Sequence, residues 1–161
     1  MAAHRYSANA HWHGSTGQGW EHYGRAHEVT APPAEQTLTV TTGESAGDPR
    51  HLNPEQLLLM AASTCQLLWF LHVAAKARID VVEYRDEAEA EMPDDDKPVR
   101  ITRIALRPTI VVHVPEGGQA PSEERIRSLS DLAHRECYIA NSLRSEVTVE
   151  PRLELADAEA V

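Results

Sequence analysis

Two cysteines carry the most reactive side chains of this sequence. Cys65 lies in the middle of the longest apolar run, and Cys137 follows a second, amphipathic segment. A thiolate is both a nucleophile and a metal ligand, so the pair could do redox chemistry, bind a metal or simply fill core space. On the residues alone the redox and packing readings stand level. Nine histidines make zinc conceivable, but no Cys-x-x-Cys or His-x-x-x-His spacing occurs, and His11-x-His13 reads as one face of an exposed strand. Asp94-Asp95-Asp96 lacks the spaced acidic ligands of a calcium loop and reads as a solvated turn. Ser63 with His72 has no nucleophile-elbow glycines, so a hydrolase triad has no support. Gly14, Gly17 and Gly19 are followed by neither Lys nor a helix, which argues against a phosphate loop.

The element that must position Cys65 is the segment from Asn53 to Ala75. Asn53 suits a helix cap, Pro54 the first turn, and Glu55 the positive end of the helix dipole. No Gly or Pro interrupts the run, so a helix of about 23 residues would reach roughly 35 Å. It is apolar nearly all round, as a helix buried on several sides is. Its length would also suit a membrane span, but Gln56, Ser63, Thr64, Gln66 and His72 break the apolar surface and no basic flank anchors it. It reads as a core helix.

Ahead of it, alternation predicts strands over His4–Gly14, Trp20–Thr30 and Gln36–Thr41, with a turn at Gly14–Gly19. After it, strands are expected over Ile79–Met92, over Val99–Val114 with Pro108 at an edge or bulge, and over Glu146–Leu155. Ser122 caps a second helix with Ile126, Leu129, Leu132 and Ala133 on its apolar face, and a kinked or separate short helix is expected over Cys137–Leu143. Strands grouped in runs, in the order β-β-β-α-β-β-α-β, predict an α+β fold with mainly antiparallel pairing.

At 161 residues the chain suits one domain over residues 1–161, or half of an obligate dimer. A net charge of −10 without a basic stripe argues against nucleic acid and anionic membrane as partners. Residues Met1 to Ala10 hold no apolar signal segment, which makes a cytoplasmic location the expectation. In that compartment a structural disulfide is unusual. No cofactor or metal is expected.

Asn53-Pro54-Glu55-Gln56-Leu57-Leu58, with Cys65 ten residues after Glu55, resembles the signature of the OsmC/Ohr family of organic hydroperoxide reductases. Cys137-Tyr138-Ile139-Ala140-Asn141-Ser142-Leu143 resembles that family's distal Cys with its following Ser-Leu, and His11-Trp12-His13-Gly14 its opening strand. Tyr138 stands where Pro often follows the second Cys, and Gln66 replaces a usual aromatic after the first.

The resemblance implies an OsmC-like fold: antiparallel sheets around two central helices in an intertwined homodimer. It further implies a thiol-dependent peroxidase in which Cys65 attacks the O–O bond and Cys137 resolves the sulfenic acid as an intrachain disulfide. The substrate would be an organic hydroperoxide, and the reductant a dithiol, either a small molecule or a lipoylated protein. Leu68, Trp69 and Met60 would offer an apolar wall suited to an alkyl group, although plain core packing accounts for them equally well. In the family an Arg bridges a Glu and the peroxidatic Cys, with residues from both subunits in one site. Arg25 is the expected Arg and Arg50 the competing candidate, with Glu55 as the acid. Ten residues along a continuous helix span about 15 Å, so Glu55 and Arg25 of one subunit would serve Cys65 of the other. The competing function is a non-catalytic OsmC-like protein that binds a small ligand or acts in stress.

Overall fold

The computed structural model describes residues 3–43 and 46–156, among which nine strands and two α-helices form. The chain divides into two compact units, Met1–Leu57 and Leu58–Val161.

The first unit holds an antiparallel sheet of β1 (Asn9–His11), β2 (His27–Thr30) and β3 (Thr37–Val40), in that order, with Ala10 opposite Val29 and Val29 opposite Leu38. Two of these strands are shorter than the alternation of apolar residues suggests. Residues 20–26 leave the ladder because the Arg25 guanidinium takes up main-chain carbonyls of Trp20 and Tyr23, and the Trp12 indole donates to Gly24 O at 2.7 Å. Gly14 is needed beside Trp12: a Cβ there would lie 2.6 Å from the indole ring.

Helix α1 (Pro54–Lys76) is unbroken over 23 residues. It begins with reciprocal capping, Gln56 N donating to Asn53 Oδ1 at 2.8 Å and Asn53 N to Gln56 Oε1 at 3.0 Å. It is long and apolar enough to cross a membrane by length and composition, yet Ala62, Gln66, Phe70, Val73 and Ala74 are buried within the protein. It ends where Arg78 takes the left-handed conformation (φ 59°), with Ile79 N bonding back to Ala74 O at 3.0 Å.

The second unit contains β4 (Asp80–Asp86), β5 (Glu89–Glu91), β6 (Arg103–Leu106), β7 (Pro108–His113), α2 (Glu123–Glu136), β8 (Glu146–Val149) and β9 (Arg152–Leu155). Each of the three long strands expected here is broken in the middle, and its halves join different sheets, ordered β4-β7-β9 and β5-β6-β8. The breaks have visible causes. Pro108 opens β7, where its missing N–H costs no ladder bond. Asp86 receives the Arg107 amide at 2.8 Å and the Ser63 hydroxyl at 2.5 Å, supplying partners where the ladder stops. Pairing is mainly antiparallel, but β6–β8 and β7–β9 are parallel, as the α2 crossover permits.

The later half of α1 packs with β7 and α2 through Phe70, Val73, Ile110, Val112, Ile126 and Leu129. The earlier half places Ala62 against Ile104 and Leu106 of β6. Burying each large side chain contributes roughly 1.5–3 kcal/mol, enough to hold both helices on the sheets. Ser122 caps α2 as expected, its hydroxyl accepting from Arg125 N at 3.1 Å.

Candidate active site

The two thiols meet in the second unit. Cys65 is half-buried on α1, Cys137 is the buried C-terminal cap of α2, and both are free. The Cys137 sulfur accepts from Ala140 N at 3.4 Å, and the Cys65 thiol is near enough to act on it. Burial, reinforced by the neighbouring Cys65 thiol, pushes the Cys137 thiol up to about 11. It is therefore held protonated at neutral pH.

The segment after Cys137 is fixed by its own side chains. Asn141 Nδ2 donates to Arg135 O at 2.8 Å and to Cys137 O at 3.0 Å, and Ser142 Oγ donates to Tyr138 O at 2.7 Å. These bonds satisfy carbonyls left over where α2 ends. Asn141 was missed as a site residue by sequence reasoning. Its place four residues after a helix-terminal Cys was the available signal, since Asn is suited to local main-chain bonding.

Beside the thiols, Leu68, Trp69 and His72 line an apolar cavity of about 210 Å³. They lie three, four and seven residues after Cys65 on α1, which places all four on one face. His72 and Tyr138 each meet the Trp69 ring edge-on at 5.5 Å. Met60 is half-exposed.

Arg25 and Glu55 come together in the first unit. They line a cavity of about 380 Å³ with Trp12, Tyr23 and His27. The Arg25 guanidinium stacks over the Tyr23 ring at 4.3 Å and the Trp20 ring at 5.6 Å, and donates to Tyr23 O at 3.2 Å and to Trp20 O. Among the described residues no carboxylate lies within ion-pair distance of it. Arg50 is placed differently: it grips Asp48 through Nε at 3.0 Å and Nη2 at 2.6 Å. That side-chain hydrogen bonding holds the Asp48 carboxyl well below the usual carboxylate range. Among the described residues no three His, Cys, Asp or Glu side chains gather as a metal site.

The arrangement offers a thiol with a second thiol nearby, an apolar cavity on the same helix face, and separately an aromatic-held guanidinium that lines a cavity with a carboxylate. The family model described as OsmC-like protein matches residues 47–152. An OsmC-like protein of unknown function from Vibrio cholerae superposes with a TM-score of 0.82 at 26% identity, over 93% of this chain and 100% of that one. An organic hydroperoxide resistance protein OsmC from Legionella pneumophila gives 0.65 at 19% identity, over 96% and 99% of the two chains. The organic hydroperoxide resistance protein of Bacillus subtilis gives 0.61 at 19%, over 95% and 100%. These last two likenesses speak for the fold. No curated protein gives a significant match.

Proposed function

The chain belongs to the OsmC-like family, and from that premise we propose that it is a thiol-dependent peroxidase reducing organic hydroperoxides to alcohols. The observation that carries the reading is the nearness of two free thiols, Cys65 and Cys137, with an apolar cavity on the face of α1 that carries Cys65. A core cysteine that only packs needs no second thiol beside it.

In this reading the Cys65 thiolate attacks the terminal oxygen of ROOH. The O–O bond breaks, ROH leaves after taking up a proton, and Cys65 becomes a sulfenic acid. Cys137 gives up its proton and attacks the Cys65 sulfur; the S–O bond breaks, water leaves, and a Cys65–Cys137 disulfide forms. A dithiol then reduces that disulfide and is itself oxidised.

Arg25 stabilises the thiolate and orients the peroxide, with Glu55 lining the same cavity. Its freedom from any carboxylate ion pair among the described residues supports this choice over Arg50. Arg25 and Glu55 of one subunit serve Cys65 of the other, in an intertwined homodimer with one domain per chain. The exposed Met60, Leu68 and Leu71 on α1 support a partner that covers them. The apolar lining beside Cys65 favours an alkyl or aryl group over hydrogen peroxide.

Steady-state turnover with a small dithiol tests the reading, comparing an organic hydroperoxide with hydrogen peroxide. The organic substrate should be preferred, and Cys65→Ser should abolish turnover while leaving the fold intact. A folded wild-type protein that consumes neither peroxide would instead favour a non-catalytic ligand-binding or stress role.

A further inference from the structure

We infer that Gln66 is a positioning residue for disulfide formation: its amide ties α2 to α1 and holds Cys137 on Cys65. The inference rests on the peroxidase reading above and adds to it what sets the fate of the sulfenic acid.

Gln66 follows the nucleophile directly but turns into the core, where it is 1% exposed. A buried amide is costly unless it finds a partner. Gln66 Nε2 donates to the main-chain oxygen of Ser130 at 3.1 Å. A carbonyl only accepts, so the amide nitrogen must face it.

Ser130 is itself completely buried on α2, and Cys137 lies seven residues further on, two turns along the same face. The hydrogen bond and the thiol pair therefore belong to one seam. The surrounding contacts, through Phe70, Ile126, Leu129 and Ala133, are apolar and non-directional, and they permit small shifts of one helix along the other. The Gln66 bond has a direction and fixes the register. Trp69 of α1 also meets Tyr138 edge-on, a second contact from α1 to the segment that carries Cys137.

Register matters because the two steps tolerate misplacement differently. Peroxide attack uses Cys65, the Arg25 and Glu55 that serve it and a diffusing substrate, and makes no demand on Cys137. Resolution needs Cα atoms within about 7 Å and aligned sulfurs. A sulfenic acid that waits attacks a second hydroperoxide through its sulfur, the O–O bond breaks, the alcohol leaves and a sulfinic acid results. A displacement of about 1 Å slows a positioned step by up to roughly a hundredfold.

The test uses the full-length protein carrying Gln66→Leu and, in parallel, Gln66→Met, which keeps the length of the side chain but not its donor. Ile126→Val serves as a control that loosens the same core without touching the bond. Two quantities are read by mass spectrometry: the rate of first oxidation of Cys65, and the share of Cys65 reaching sulfinic acid per turnover as organic hydroperoxide is raised. We expect unchanged first oxidation in both Gln66 variants. Their sulfinic share should rise by about tenfold or more, with the control like wild type. Equal sulfinic shares in wild type and both variants would overturn the inference. So would equal slowing of both steps, which would assign Gln66 to packing alone. A wild type that forms no Cys65–Cys137 disulfide would remove the peroxidase reading itself, a result distinct from either.

Discussion

Arg25 and Arg50 differ in what already engages their charge. Arg50 is clamped bidentately by Asp48, whereas Arg25 uses two N–H groups on carbonyls, rests on two aromatic rings and keeps donors to spare. Arg25→Ala should therefore slow hydroperoxide reduction by roughly a hundredfold or more, the usual loss for one charge-stabilising donor, and Arg50→Ala should do far less. The opposite ranking in kcat/KM would assign the site to Arg50. Cys137 makes a second prediction. Its thiol is raised from 9.0 to about 11, so the native protein should resist iodoacetamide at Cys137 near neutral pH and react only as the pH approaches about 11. The linkage has a definite sign. Between about 9 and 11 the folded state holds this proton more tightly than the unfolded chain, so stability falls as pH rises through that window. Thermal melts should show that slope in wild type and a shallower one in Cys137→Ser; equal slopes would contradict the assignment. At this scale the two Cys, Arg25 and Glu55 stand out as candidates because they lie in recognisable local sequences. The Gln66 bond does not, since its partner Ser130 lies on another helix and nothing local announces it.

At the scale of elements, α1 was legible to within a residue because Asn53, Pro54 and the uninterrupted apolar run are local signals. Its reciprocal cap was also within reach, as Gln56 stands three residues after Asn53. The strand breaks were harder to see. Val99–Val114 reads as one β-rich run, but its division at Arg107 depends on Asp86 and Ser63, which arrive from β4 and α1. The parallel pairing of β8 and β9 likewise follows from the α2 crossover, a property of topology that alternation does not encode. The end of α1 offers a direct check on local strain. Arg78 occupies a left-handed position where glycine is unstrained, at a cost to an L-residue of about 1–2 kcal/mol. Part of any gain from glycine is lost to the entropy of the unfolded chain. Arg78→Gly should thus raise the unfolding free energy by about 0.5–1 kcal/mol in urea melts. A destabilised variant would show that the Arg78 side chain contributes more than its backbone strain removes.

For the whole molecule, the central fact is a 23-residue apolar helix with Met60, Leu68 and Leu71 facing outward. Apolar groups placed together on one surface are costly in water and mark an interface. The proposed homodimer covers them and brings Arg25 and Glu55 to the other subunit's Cys65. Light scattering should find a dimer, and Met60→Glu should shift it toward monomer with loss of turnover. A wild-type monomer with full activity would contradict the shared site. The central claim, that Cys65 and Cys137 form one redox pair, is tested most directly by titrating the fully reduced protein with one equivalent of organic hydroperoxide. The products are then mapped by mass spectrometry without reduction. The account predicts near-complete conversion to an intrachain Cys65–Cys137 disulfide; recovery of both cysteines as free thiols, or of interchain bridges alone, would contradict it.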